Sequence, residues 1–476
     1  MTVTDSTSPE ATNATDATDA TDATDAAATV ARLRRTFESG RTRPLAWRRR
    51  QLHGIERMVA EREPDIAAAL AQDLGRPAPY AWLGDIASTA AEAAYARKHL
   101  KRWMRRRRTS LPLSMLPGRG FYQYEPLGTV LVIGPWNYPV YLTLGPLVAA
   151  VAAGNTAVVK PSEHAPATSA LMARLIPEYL DPDAVAVLEG DAAVTQALLA
   201  QGLDLAFFTG GPGIGKKVMA AAAEHLTPVV LELGGKSPVI VTADADIDVA
   251  ARRIAWVKLL NSGQTCIAPD YVLVEESVRD RLVAGIVATV REFRAGEPAT
   301  QPIVDDRQFA RIAGLLDDHG GTVALGGGTD AASHAIEPTV LVDPSPDSAV
   351  MADEIFGPIL PVLTVSSVDE ALRFVNDRPK PLGLYLFTGS KAVKERVLAG
   401  TSSGGVVVNH LAMHCLVPQL PFGGVGNSGM GAYHGEWGFH AFSHRKAVLD
   451  KPAKPDPSLM YPPYTDRKMA LLRRFF

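Results

Sequence analysis

Between Glu125 and Lys160 the chain carries no Asp, Glu, Lys or Arg, over PLGTVLVIGPWNYPVYLTLGPLVAAVAAGNTAVV. A run of that length is long enough to cross a bilayer. It is also broken by Gly134, Pro135, Asn137, Pro139, Gly145, Pro146, Gly154 and Asn155. A lipid-facing helix would leave backbone groups unsatisfied at those breaks. The run therefore reads as strand, turn, helix and strand of a buried α/β core. Strands without charge on either face must be covered on both, which points to a parallel sheet with helices on each side.

The same rhythm continues downstream through TAVVKP (156–161), AVAVLEG (184–190), LAFFTGG (205–211), PVVLELGG (228–235) and SPVIVTA (237–243), with helix-like segments between them. In such sheets ligands collect at the carboxyl ends of the strands. Upstream, from Val30 to about Arg108, Leu52, Ile55, Met58, Val59, Ile66 and Leu70 recur at helical spacing. That region ends in the basic cluster KRWMRRRR, read as a solvated helix end or a subunit contact. Without an aromatic platform it does not point to nucleic acid. From Ala245 a second α/β unit begins, ending in SGGVVVN and the glycine-rich LPFGGVGNSGMGAYHG, Leu420 to Gly435.

A chain of 476 residues fits two or three domains. Net charge is −3, so nothing global steers the chain to nucleic acid or an anionic membrane. The two cysteines, Cys266 and Cys415, build no disulfide framework and suit a reducing compartment, so a cytoplasmic location is expected. Residues 1–29 contain the tripeptide ATD repeated from Ala14 to Asp25 and almost no large apolar side chain. Composition predicts a disordered tail there, and the absence of a basic start or an apolar stretch excludes a signal peptide.

Five places carry candidate chemistry. In FTGGPGIGKK, Gly210, Gly215 and Lys216 match the spine of a phosphate-binding loop, but Lys217 stands where Ser or Thr would hold magnesium. A helix starting near Pro212 would still favour an anionic phosphate. Lys160 and Glu163, three residues apart at a strand end, could hold a ribose's vicinal hydroxyls or form a plain ion pair. Glu232, between Leu231 and Leu233, is either a carboxylate with a raised pKa suited to taking a proton or a structural partner of Lys236. Cys266 ends the small-polar run Asn261-Ser262-Gly263-Gln264-Thr265; were it to begin a helix, the dipole would lower its pKa. Otherwise it is a buried small hydrophobe. Asn137, in GPWNYP, could cap the next helix or donate to a developing alkoxide.

Taken together, GPWNYP, VVKPSE, FTG with GIGK, LELGGKSP, NSGQTCIAPDYV, EIFGPILPV, TSSGGVVVN and LPFGGVGNSGMGAYHG resemble an NAD(P)-dependent aldehyde dehydrogenase of the class 3 (fatty or aromatic aldehyde) branch. The resemblance runs from about residue 30 to the end. It implies a Rossmann-type cofactor domain over 30–231, with a bridging β segment at about 109–126. A catalytic α/β domain would cover 232–420, and 421–476 would complete the cofactor domain and an oligomer bridge. It further implies that Cys266 is the nucleophile, Glu232 the base that activates water, and Asn137 with the Cys266 backbone N–H the oxyanion hole. Lys160 and Glu163 would hold the adenosine ribose, Gly210 and Gly215 the phosphate turn, and Glu354 the nicotinamide ribose. Phe356 would pack near the nicotinamide, and Tyr138, Trp256 and Leu260 would line the aldehyde tunnel.

The expected reaction is NAD(P)+-dependent oxidation of a medium- or long-chain aliphatic or an aromatic aldehyde to its acid, through a thiohemiacetal and a thioester. No metal is expected. The class 3 likeness implies a homodimer, and with no apolar tail after Phe476 no integral membrane anchor is expected. One departure stands out: Gly211-Pro212-Gly213 replaces the family's usual Ser-Thr pair, removing a hydroxyl near the phosphates. Two other reactions compete, a coenzyme A-acylating variant that would not need Glu232 and a phosphate-loop nucleotide hydrolase.

Overall fold

The computed structural model describes residues 10–296 and 301–474, with side chains described from Thr24 onward. Its first sheet has six strands in the order Gly429–Met430, Val229–Glu232, Leu205–Thr209, Thr129–Ile133, Thr156–Lys160 and Val185–Val187. All are parallel except Gly429–Met430, which pairs antiparallel with Val229–Glu232. The charge-free run supplies two adjoining strands, buried at every residue, and the helix Tyr141–Ala153 between them. Alternate side chains leave on opposite faces, as strand geometry requires. Val130 and Val132 join the core beneath the helices Leu45–Glu61, Ala87–Trp103 and Tyr141–Ala153, while Leu131 and Ile133 join a second core on the far face.

Gly145 and Pro146 do not interrupt this helix as their residue types suggest; both lie inside it. Apart from Leu142 its residues are all buried, and burial on that scale outweighs the ~3 kcal/mol that an interior proline costs. Gly154 ends the helix with φ +92°, and Arg48 donates to the carbonyl of Ala152 at 3.1 Å in its last turn.

The far face is closed in part by the helix Glu10–Glu38, through Ala26, Val30 and Leu33, each at most 1% exposed. Where composition leads one to expect a disordered tail over residues 1–29, the backbone is helical from Glu10 and Ala26 is packed in the core; residues 1–9 lie outside the described residues. Arg34 secures the helix by donating to the carbonyls of Gln201 and Gly202, both at 2.7 Å. Composition hides it because alanine adds little apolar surface yet is the best helix former.

The second sheet has seven strands in the order Thr322–Leu325, Thr339–Val342, Ile359–Val365, Tyr271–Glu275, Pro238–Val241, Gly383–Phe387 and Gly405–Val408, parallel except for the first. The chain crosses from the first sheet to the second between Glu232 and Pro238, so the run 237–243 belongs to the second unit. A third, antiparallel sheet joins Arg107–Thr109, Arg119–Pro126 and Ser443–Asp450. Within the basic cluster, Arg102 and Arg107 both donate to Glu436, at 3.1 and 2.7 Å. Among the described residues no helix is long and apolar enough to cross a membrane.

Candidate active site

A cleft of about 1260 Å³ opens at the carboxyl ends of the first sheet's strands. Four of those strands deliver a side chain or a turn to its wall: Asn137 beyond Thr129–Ile133, Lys160 and Glu163 at the end of Thr156–Lys160, Gly210 beyond Leu205–Thr209, and Glu232 on Val229–Glu232. The second unit contributes Cys266, Glu354 and Phe356 to the same wall.

The run before Cys266 is small and polar because of its backbone. Asn261, Ser262 and Gly263 have φ of 52°, 50° and 71°, three consecutive left-handed residues. A side chain at Gly263 would collide with the carbonyl oxygen of Gly357. Gln264, fully buried, locks the turn: its Nε2 donates to the carbonyls of Asn261 (3.1 Å) and Pro302 (3.2 Å), and its Oε1 accepts from Val304 N–H (3.1 Å). Cys266 follows in a turn and begins no helix, so the helix-dipole route to a lowered pKa does not operate. Burial pushes its thiol well up instead, Glu354, Cys415 and Glu232 add to the rise, and its own backbone N–H opposes it.

Asn137 is 4% exposed and its Nδ2 donates to the carbonyl of Gln264 at 3.0 Å, which places the amide beside the Cys266 turn. It does not cap the next helix; Asp85 does, accepting from Val140 N–H (3.0 Å) and Tyr141 N–H (2.9 Å). Glu232 is 3% exposed, and among the described residues neither of its carboxylate oxygens has a hydrogen-bond partner. Burial alone pushes its carboxyl well above the usual range. Its pairing with Lys236 is excluded, because Lys236 bonds Asp270 and the carbonyls of Val350 (2.8 Å) and Asp353 (2.9 Å). Glu354 is pushed up to about 8 by burial and by Asp270, against the Gly235 N–H.

At the other end of the cleft Lys160, 2% exposed, holds Glu163 at 2.6 Å. Partial burial is the largest single influence on the Glu163 carboxyl and raises it, but the bond to Lys160, its own backbone N–H and the charges of Lys160 and His164 together outweigh burial, so the net shift is downward. The helix Pro212–Ala223 starts at the cleft. A Cβ at Gly210 would lie 2.5 Å from the Phe208 ring, whereas at Gly211 and Gly213 it would meet open space. Gly215 is not in the wall: its Cβ would lie 2.8 Å from Leu233, so it lets the helix pack on the sheet. Phe356 has φ +51° and stands edge-on to Trp136, ring centres 5.4 Å apart. A carboxylate with an ammonium at one end, a helix start between, and a second carboxylate at the far end fit a dinucleotide's two riboses and its phosphates.

The three expected tunnel residues do not line this cleft. The Tyr138 hydroxyl lies 3.1 Å from that of Thr265, on the flank of the Cys266 turn. Trp256 is 36% exposed and edge-on to His410, and Leu260 lies half-buried where its helix ends. Arg76 and Asp85 escape the sequence reading altogether. They form an ion pair 1% and 0% exposed, and Arg76 also donates to the carbonyl of Asn137. Their only trace in the sequence is two charges nine residues apart in a helical region.

A sequence profile of the aldehyde dehydrogenase family matches residues 2–448. The chain belongs to the aldehyde dehydrogenase family. It is 47% identical over 452 residues to aldehyde dehydrogenase family 3 member A2 of Rattus norvegicus, covering 94% of this chain and 93% of that protein. A second rat relative, "aldehyde dehydrogenase, dimeric NADP-preferring", is 46% identical over 89% of this chain and 94% of its own length. Among solved structures, substrate-bound Staphylococcus aureus AldH superposes with a TM-score of 0.91 at 42% identity, covering 94% of this chain and 98% of that one. As a family member the protein is an NAD(P)-dependent enzyme that oxidises aldehydes to acids. Neither the coenzyme A-acylating reaction nor the phosphate-loop hydrolase has support among these relatives.

Proposed function

We propose that Cys266 is the nucleophile of this aldehyde dehydrogenase, that Asn137 and the Cys266 backbone N–H bind the oxyanion, and that Glu232 is the base of the hydrolytic step. The observation that carries the reading is an unpartnered, buried carboxylate sharing a cleft wall with the thiol and the amide. The thiol, raised by burial, must shed its proton before the sulfur attacks the aldehyde carbon. The Asn137 amide and the backbone donor then stabilise the alkoxide of the thiohemiacetal. NAD(P)+, held between the Lys160–Glu163 pair and Glu354, supplies a hydride acceptor when bound. Glu232, its affinity for protons raised by burial, takes one from the water that hydrolyses the Cys266 thioester.

The likeness to family 3 members supports medium- and long-chain aliphatic or aromatic aldehydes as substrates. It also supports a tunnel past Tyr138, Trp256 and Leu260. The printed description of the rat relative as dimeric supports a homodimer, and the two unpaired cysteines support the cytoplasm. The deciding experiment follows the absorbance of reduced cofactor against a panel of linear and aromatic aldehydes with NAD+ and NADP+ separately. Turnover of none of them overturns the substrate assignment.

A further inference from the structure

The feature the reaction scheme leaves unused is the buried Arg76–Asp85 pair. Asp85 sits in a π-helical turn, Trp82–Ile86, wedged between two α-helical segments. Such turns carry one extra residue and re-aim side chains at functional sites. Here the turn points the Asp85 carboxylate inward, where Oδ1 takes the N–H groups of Val140 (3.0 Å) and Tyr141 (2.9 Å) and Oδ2 takes Arg76. The Thr89 hydroxyl fixes the turn by donating to the Asp85 carbonyl at 2.6 Å. Gly84, in the same turn, lies so close to Tyr138 that an added Cβ would stand 2.8 Å from its ring.

Arg76 spends its other nitrogen on the main-chain carbonyl of Asn137, and its guanidinium carbon lies 4.5 Å from the centre of the Tyr138 ring. That carbonyl also accepts from Asn261 Nδ2 at 3.1 Å, and the same Nδ2 reaches the Gln264 carbonyl at 3.0 Å. One charged pair therefore grips residues 137 to 141 from behind, while Asn261 ties the same backbone to the turn that ends at Cys266. A buried ion pair is a poor source of stability, since desolvation offsets its attraction. What it supplies is a fixed fork geometry.

We propose that Arg76 and Asp85 form a positioning pair that sets the Asn137 amide relative to Cys266, resting on the assignment of Asn137 as the oxyanion donor. The test is Arg76→Lys, which keeps the charge for Asp85 but cannot span both Asp85 and the Asn137 carbonyl. Its kcat should fall by about tenfold, less than the roughly 10² to 10³ of losing the donor outright. The KM for aldehyde, the dissociation constant of NAD+ measured by fluorescence, and the alkylation rate of Cys266 by iodoacetamide should stay within about twofold. A cycle with Asn137→Ala separates the two claims. If Asn137→Ala alone leaves kcat unchanged, the oxyanion assignment fails. If it lowers kcat and Arg76→Lys still costs its full factor in that background, the pair does not act through Asn137 and the proposal is overturned. Loss of the Arg76→Lys effect in the Asn137→Ala background supports it. Should Arg76→Lys fold poorly, Asp85→Glu, which keeps the charge but displaces the carboxylate, replaces it in the same cycle with the same readings.

Discussion

Replacing Glu232 by Gln should move activity and stability in opposite directions, and both follow from the absence of any partner to its carboxylate. No hydrogen bond is forfeited, because neither oxygen makes one to the described residues. The burial that raises the carboxyl means the folded state holds a proton at pH values where the unfolded chain has lost it. Its folded pKa lies above its unfolded one, so the stabilising contribution is complete below the unfolded value and is lost as pH rises through the folded one. Over that window the wild type should lose about 1.4 kcal/mol per pH unit relative to Glu232→Gln. Urea unfolding of both proteins at pH 5.5 and 7.5 measures this difference. In activity, losing a general base costs about 10² to 10⁴, or roughly 3 to 5 kcal/mol of barrier. Stopped-flow absorbance should show one equivalent of reduced cofactor released in a burst, followed by a stalled steady state. An unchanged steady state, or identical pH slopes in urea, would refute the reasoning.

Three further outcomes are expected. Cys266→Ala should abolish turnover while fluorescence titration still shows cofactor binding; retained dehydrogenase activity removes the nucleophile assignment. Glu163→Gln should relax discrimination against NADP+, whose 2′-phosphate the carboxylate repels, read as a change in the ratio of kcat/KM for the two cofactors. Leu33→Ala, at a position 0% exposed in the helix Glu10–Glu38, should lower stability by about 2 to 5 kcal/mol in chemical unfolding, and a change under about 0.5 kcal/mol would argue against docking of that helix on the sheet.

The sheet architecture was legible because burial on both faces forbids charge, and Glu125 to Lys160 obeys that without exception. Asn137, Lys160 and Glu232 were legible as site candidates for a related reason: each is polar at the edge of an otherwise apolar strand, where a core would not place it. Gly215 was misread as part of the phosphate turn because a glycine that permits helix-on-strand packing looks the same in sequence as one that cradles an anion. The ionisation of Cys266 stays open in the sequence because local residues do not tell a turn from a helix start at that point. Arg76 and Asp85 were invisible, since nothing in the sequence shows that two charges in an amphipathic helical region are both turned inward. The N-terminal helix was legible from Val30 and not before, because ahead of that point its described core contact is Ala26, too small to register against the repeat that precedes it.

The antiparallel pairing of Gly429 with Glu232 has a bearing on how the enzyme comes into being. The strand that holds the candidate base lies at the rim of its sheet until a segment almost two hundred positions later in the polypeptide arrives to flank it. Met430 pairs with Leu231, and a Cβ at Gly429 would strike the Leu231 carbonyl, so only glycine admits that approach. A ribosome must therefore release nearly all of the product before this edge is sealed. Chains cut short anywhere before residue 429 emerge with the Glu232 strand unpaired on one side, a bare edge open to mispairing.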